Sequence, residues 1–231
     1  MRDIAAVGFD VDGTLYPEWR LYLRTWQGAL SSPRLFAAFA RTRQRLRRTA
    51  AVAKETSFYD LQALTCAKEL GAGDDAVETV KAAIARQVYG TVERYFDGIR
   101  PYPYVRETLC AMKESGLKLA ILSDFPLARK LESLRLSGMW DAELCSEEIG
   151  ALKPHPLSFL RLAEQLDLPP ERILYVGNNP RYDIAGAKNA GMKAALRCSF
   201  PRFPLRHGQI VGSTQKFAFN DYRQLKDYVL R

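Results

Sequence analysis

From about residue 100 onward, short apolar runs alternate with stretches of helical periodicity, the βα rhythm of a parallel sheet covered by helices. The predicted strands are Ile4 to Phe9, Leu117 to Leu122, Ala142 to Cys145, Ile173 to Val176 and Lys193 to Arg197. Helices are predicted at about Tyr104 to Ser115, Pro126 to Leu136, Pro156 to Leu166 and Arg181 to Ala190. Runs such as LKLAILS are apolar almost throughout, which suggests strands buried on both faces. The expected class is α/β.

Residues 17 to about 100 read differently, because strand signals vanish there. Ser31 and Ser32 before Pro33 make a helix start, and Leu35, Phe39, Leu46 and Ala53 fall on one stripe. A later helix from about Asp75 has an apolar seam of Val77, Val80, Ile84, Val88 and Val92. Trp19, Tyr22 and Trp26 sit at helical spacing and are expected to pack between helices of this segment, with contact of one of them to a bound ligand as the alternative. The stretch GIRPYPYV, residues 98 to 105, reads as the return to the α/β part, and KFAFNDYRQLKDYVLR as a short strand and a closing helix. The expected organisation is a core of residues 1–16 and 101–231 with a helical subdomain inserted at 17–100.

Composition narrows the function classes. A chain of 231 residues with 47% hydrophobic content can bury a substantial core. It has no apolar run long enough to span a membrane, and its N-terminus lacks the build of a signal peptide, so a cytoplasmic protein without a membrane partner is expected. The four cysteines are far apart with no CxxC pair, which points to free thiols rather than a zinc site or a disulfide framework. His155 and His207 have no partners at metal-ligand spacing. The net charge of +8 is local: nine basic and no acidic residues lie between Trp19 and Lys54, and the remainder is nearly balanced. Arginines 34, 41, 45 and 48 would lie along one side of a helix, which opens a nucleic-acid reading. A solvated face is the plainer reading, since few aromatics interleave for base stacking.

The chemistry concentrates at predicted strand ends, where an open parallel sheet places its ligand crevice. DVDGTL, residues 10 to 15, follows the first strand. Two carboxylates at i and i+2 in extended backbone share a side and, about 4 Å apart, would repel by roughly 4 kcal/mol at an effective dielectric near 20. They need a cation or a proton. Ser123 ends LKLAILS, and the amides of Asp124 and Phe125 begin a loop suited to anions. Lys153 precedes Pro154 in GALKPHP, and the strand at 173 to 176 runs into GNNPRYD. Each piece has a bland alternative: an Asx turn, a surface lysine, a glycine-rich turn.

As an ordered set, DVDGTL, ILSDF, SEEIGALKPHP and VGNNPRYDIAGAKNAG resemble the four motifs of the haloacid dehalogenase superfamily, chiefly its phosphatases with a helical cap inserted after the first motif. The resemblance covers essentially the whole chain. It implies a Rossmann-like three-layer core with a parallel sheet and an all-helical cap. It further implies that Asp10 attacks phosphorus to form an aspartyl-phosphate, that Asp12 is the general acid and base, and that Ser123, Asp124 and Lys153 attend the phosphoryl group. Thr14 would support the loop after the nucleophile. Magnesium would be held by the Asp10 carboxylate, the Asp12 carbonyl, Asn178 and waters. The substrate implied is a small phosphorylated metabolite. The departure is in the fourth motif, where the usual GDxxxxD becomes Gly177, Asn178 and Asp183: Asn178 keeps an oxygen and loses a charge, while Asp183 would orient Lys153 or stand behind the metal ligands.

Rival chemistries are less well served. A dehalogenase needs neither Asp12 nor metal, and none of Lys54, Lys68 and Lys81 lies in a context recognisable for Schiff-base phosphonate cleavage. Mutase chemistry differs only in what the cap binds. A reading from another class is a non-catalytic or weakly catalytic relative whose basic cap grips nucleic acid or another anionic partner.

Overall fold

The structure, a computed structural model, describes residues 3–48, 57–198, 209–211 and 216–231. Ala53, Lys54 and His207 lie outside the described residues. Among the described residues one sheet of seven strands organises the chain: β1 (Ala6–Phe9), β2 (Lys118–Ser123), β3 (Ala142–Cys145), β4 (Ile173–Gly177), β5 (Lys193–Arg197), β6 (Gln209–Val211) and β7 (Lys216–Phe219). Their order is β3-β2-β1-β4-β5-β7-β6, parallel except for the antiparallel pair β6 and β7 at one edge. β1 lies inside the sheet between β2 and β4, and its four residues are all buried, as expected of a strand covered on both faces.

Helices close both faces. On one side α6 (Val105–Glu114), α7 (Ala128–Ser133) and α11 (Tyr222–Leu230) cover an apolar cluster that includes Phe9, Leu109, Ile121, Leu174 and Leu225. On the other, α9 (Pro156–Leu166) and α10 (Ala185–Asn189) cover Ala120, Phe159, Leu162 and Tyr175. A four-residue α8 (Ser146–Ile149) follows β3. The result is the expected three-layer α/β fold. The closing segment behaves as its pattern predicts, with Leu225 fully buried and Tyr228 and Val229 against the same cluster. His155 caps α9, its Nδ1 accepting from the Leu157 N–H at 3.2 Å.

Between β1 and α6 the described chain is helical: α1 (Glu18–Ser31), α2 (Pro33–Leu46), α3 (Phe58–Leu70), α4 (Val77–Ala83) and α5 (Gly90–Phe96), with a wide π-type stretch at Ile84–Tyr89 joining the last two. These helices have their own apolar cluster, in which Leu35 and Phe39 of α2 meet Cys66 of α3 and Val80, Ile84 and Val88. One expectation fails here. Trp19, Tyr22 and Trp26 are not packed between helices but exposed by 54%, 60% and 53%. The reason is rotational: α1 turns Leu21 inward, where it joins Phe96 of α5 in the large cluster, and among the described residues no other helix covers its opposite face.

Candidate active site

The carboxyl ends of β1, β2 and β4 meet beside the loop that carries Lys153. Asp10 follows β1, its N–H donating to the Val176 carbonyl at 2.9 Å. The chain then turns at once, because Gly13 takes a φ of +82°, and the amides of Thr14 and Leu15 both donate to the Val11 carbonyl. A Cβ on Gly13 would lie 2.1 Å from Asn178 Nδ2, so the first and fourth motifs can approach only because this residue has no side chain.

Both oxygens of Asp10 are fixed. Thr14 Oγ1 donates to Oδ2 at 2.7 Å, and Lys153 Nζ donates to Oδ1 at 2.7 Å. With about four acceptor sites on a carboxylate, each oxygen keeps capacity for another partner. Burial is the largest influence on Asp10 and pushes its carboxyl up to about 7, with Lys153 pulling down and the Asp183 and Asp12 carboxylates pushing up. Lys153 also donates to Asp183 Oδ1 at 2.7 Å and to the Leu122 carbonyl at 3.3 Å. Burial disfavours its charge, but Asp10 and Asp183 reverse this and hold it well above the ordinary lysine range. Lys153 is therefore a fixed ammonium.

Asp183 reaches Lys153 because the chain after β4 makes one wide turn. Asn179 Oδ1 accepts from the amides of Arg181 and Tyr182, and Pro180–Ile184 forms a π-type turn in place of the α-helical start predicted there. The wider turn accommodates the residues of GNNPRYD and points Asp183 back, so that its Oδ2 also accepts from the Asn179 N–H at 2.9 Å. Asn178 lines the cleft, its Oδ1 3.4 Å from Thr14 Oγ1. Ser123 is fully buried and its Oγ accepts from the Phe125 N–H, so that amide is already engaged within the loop expected to bind anions.

The second carboxylate of the first motif has a different environment. Asp12 Oδ1 accepts from Lys130 Nζ at 2.7 Å and Oδ2 from the same nitrogen at 2.5 Å, while Tyr16 OH donates to Oδ1. Lys130 comes from α7 and its side chain is only 5% exposed. Nothing in the sequence distinguished this lysine from a surface one.

Helix α2 supplies the opposite wall of a cavity of about 350 Å³, lined by Asp10, Asp12, Lys153 and Asn178 from below and Arg43 and Arg47 from above. Arg43 is buried, ion-paired with Glu147, donating to the Asp124 carbonyl at 2.9 Å and lying 4.0 Å over the Phe125 ring. Burial opposes its charge, and Glu147 and Asp124 more than compensate, holding it above the usual arginine range. Arg47 pairs with the Asp124 carboxylate, donates to the Lys153 carbonyl at 2.5 Å and stacks 4.2 Å over Tyr182. Arg41 and Arg45, one residue pair round the helix, turn the other way onto Glu69 of α3. The arginine run thus has two faces, one into the cleft and one across the helical segment. The i, i+4 spacing of Arg43 and Arg47 was the available signal, masked by the denser arginines around it.

Asp124 therefore acts through its side chain as a junction: besides Arg47, its Oδ1 accepts from the Lys153 N–H at 3.1 Å. Burial would raise its carboxyl, but Arg47, Lys153 and Arg43 overcome this and hold it at about 2. Because that lies below the unfolded value near 3.8, its stabilisation is present above about pH 4 and is lost as pH falls towards 2, a difference of about 2 kcal/mol. Chemical denaturation of the parent and Asp124→Asn between pH 6 and pH 2 is expected to show the parent's advantage shrinking by about that amount over the acid limb. A pH-independent difference would remove Asp124 from it.

The site thus holds a buried carboxylate fixed by a hydroxyl and an ammonium, with a second carboxylate two residues on in the same small cleft. Comparison with known proteins gives this arrangement a lineage. The haloacid dehalogenase-like hydrolase family matches residues 4–191. The chain is 31% identical over 202 residues to a glyceraldehyde 3-phosphate phosphatase of Methanopyrus kandleri, covering 82% of each. It is 40% identical over 100 residues to a phosphoglycolate phosphatase of Aquifex aeolicus, covering 42% of this chain and 46% of that one. Its fold is similar to a 2-haloacid dehalogenase of Pseudomonas syringae, with a TM-score of 0.65, 20% identity and 99% of each chain covered, a likeness of fold alone. With a match that spans all four motifs from Asp10 to Asp183, the chain belongs to the haloacid dehalogenase-like hydrolase family.

Proposed function

We propose that this hydrolase is a magnesium-dependent phosphatase of small phosphate monoesters, acting through an aspartyl-phosphate on Asp10, with residues 17–100 serving as a cap on a core of 1–16 and 101–231. The observation that carries the reading is the Asp10 carboxylate, held by Thr14 and Lys153 in a cleft that also contains Asp12. A dehalogenase has no use for a second carboxylate clamped at that place. Relatives named for glyceraldehyde 3-phosphate and phosphoglycolate, together with a cavity of about 350 Å³, support a small substrate.

An Asp10 oxygen attacks phosphorus and the bond to the leaving oxygen breaks, with Asp12 giving that oxygen its proton. Water then attacks the same phosphorus, Asp12 takes the water's proton, and Asp10 is released as a carboxylate. Lys153 neutralises phosphoryl charge beside Asp10, while Asp183 keeps the ammonium aimed. Ser123 holds the loop at the end of β2, and Asp124 ties Arg47 to the Lys153 loop.

The oxygen-only donors at the cleft floor suit a hard cation: the Asp10 carboxylate, the Asp12 carbonyl and the Asn178 amide oxygen would hold magnesium, with waters completing its shell. When bound, the ion supplies positive charge that screens the phosphoryl oxygens from Asp10. Two of these three ligands are neutral. Asn178→Asp is accordingly expected to tighten magnesium binding on the order of tenfold in calorimetric titration, because ligand charge sets affinity at such sites. Unchanged affinity would leave Asn178 as a turn residue.

The nucleic-acid reading has less support. Of the four arginines that would track phosphates, Arg41 and Arg45 are ion-paired with Glu69. The direct test is phosphate release from a panel of sugar phosphates, nucleotides and an aryl phosphate, with and without magnesium. Turnover that requires the ion supports the proposal, and no turnover on any compound defeats it.

A further inference from the structure

Among the described residues, eight large hydrophobic side chains are exposed by 40% or more, and five of them lie on α1: Trp19, Tyr22, Leu23, Trp26 and Leu30. An exposed stripe of this kind marks a contact surface. Trp19, Leu23, Trp26 and Leu30 follow one another at spacings of four, three and four residues, the seam of a helix that packs along another helix. We infer that this seam is a homodimer contact in which two α1 helices lie antiparallel about a two-fold axis passing between residues 24 and 25.

Self-complementarity favours a second copy as the occupant. Under that axis Trp19 of one chain meets Leu30 of the other, and Leu23 meets Trp26, so every layer sets an indole against a smaller aliphatic group. The seam itself carries no charged side chain: Arg24 lies on the other side of the helix, where it donates to the Asp97 carbonyl of its own chain. Arg20 lies over the Trp19 ring, 5.6 Å from its centroid, at the edge of the seam. The area is adequate. The four seam side chains, each a little over half exposed, amount to roughly 500 Å² per copy and so about 1,000 Å² in all, the lower end of specific interfaces and in keeping with a dimer that dissociates readily.

An anionic lipid surface is the rival occupant, since aromatic and aliphatic residues beside arginines suit it too. The ion pairs argue against it. Arg43, Arg47, Arg41 and Arg45 are all committed to carboxylates of this chain, which lowers the positive charge left for lipid. The dimer also has a bearing on the site, because Glu18 and Tyr22 of the same helix line the cleft, so the partner's α1 would run along its mouth.

Light scattering of the full chain across roughly 1 to 100 µM is expected to give the mass of two chains at the upper end, with micromolar dissociation. Leu23→Glu and Trp26→Glu, neither of which lines the cleft, are expected to be monomeric throughout with native circular dichroism and melting. Leu160→Glu, an exposed leucine on α9, should remain dimeric. If a glutamate variant unfolds, Leu23→Ser, a smaller change at the same place, must weaken dimerisation at least tenfold. A parent that is monomeric at every concentration overturns the inference, as does a dimer that tolerates both seam variants. A monomer that sediments with vesicles of phosphatidylserine and phosphatidylcholine, but not with phosphatidylcholine alone, also overturns it and assigns the stripe to lipid.

Discussion

Asp10→Asn is expected to lower phosphate release by at least about 10⁴-fold while leaving the protein folded. The amide that replaces the carboxylate is a poor nucleophile, and loss of an activated nucleophile removes the covalent route itself. The fold should survive because the substitution relieves charge rather than stranding it: Asp10 is buried, crowded by Asp183 and Asp12, and Lys153 keeps its bond to Asp183. Single-turnover phosphate release measured beside circular dichroism separates the two effects. Activity within tenfold of the parent in a folded Asp10→Asn protein would remove Asp10 as nucleophile.

Lys130→Met should produce a smaller loss that depends on the leaving group. Lys130 bonds both oxygens of Asp12, and with Tyr16 it fixes the orientation of the carboxylate that must reach the leaving oxygen. General acid catalysis contributes on the order of 10² to 10⁴-fold, and a misaimed acid forfeits part of it. For an alkyl phosphate, kcat/KM is expected to fall by about 10² to 10³, because an alkoxide leaves poorly without a proton. For an aryl phosphate with an acidic phenol the fall should be under about tenfold, since that oxygen leaves unassisted. Lys130→Arg should recover most of the loss. Equal losses on both substrates would mean that Lys130 supports the fold rather than positioning Asp12.

Much of the α/β part was legible because its residues answer to local rules. Strands β3 and β5 and helix α9 fall on their predicted bounds; β5 is a largely apolar run that follows Gly191, and α9 an amphipathic stripe opened by Pro156. The helix predicted at Pro126 to Leu136 shrinks to α7, and its one consequential residue, Lys130, is defined by a partner 118 positions away. Spacing within the helix says nothing of such a partner. The same holds for α2, whose pattern identifies the buried stripe of Leu35 and Phe39 but not which arginines enter the cleft, because that depends on where Glu147 and Asp124 arrive from the other part of the chain. Trp19, Tyr22 and Trp26 mislead for the opposite reason. Their hydrophobicity is real, and a second surface, not a second helix of the same chain, is where it is expected to be satisfied.

The ties that Arg43 and Arg47 make to Glu147 and Asp124 bear on how freely the two parts of this chain can be exchanged in evolution or by engineering. A helical segment grafted from a homologue without arginines at these places would leave Glu147 without its ion-pair partner and Asp124 with only Lys153 nearby. The reciprocal graft would bury two guanidinium groups against whatever residues the new recipient offers. The modules are thus keyed to one another. Chimeras of this enzyme should work only when residues 43 and 47 travel together with 124 and 147, and those four positions should change in concert across its lineage.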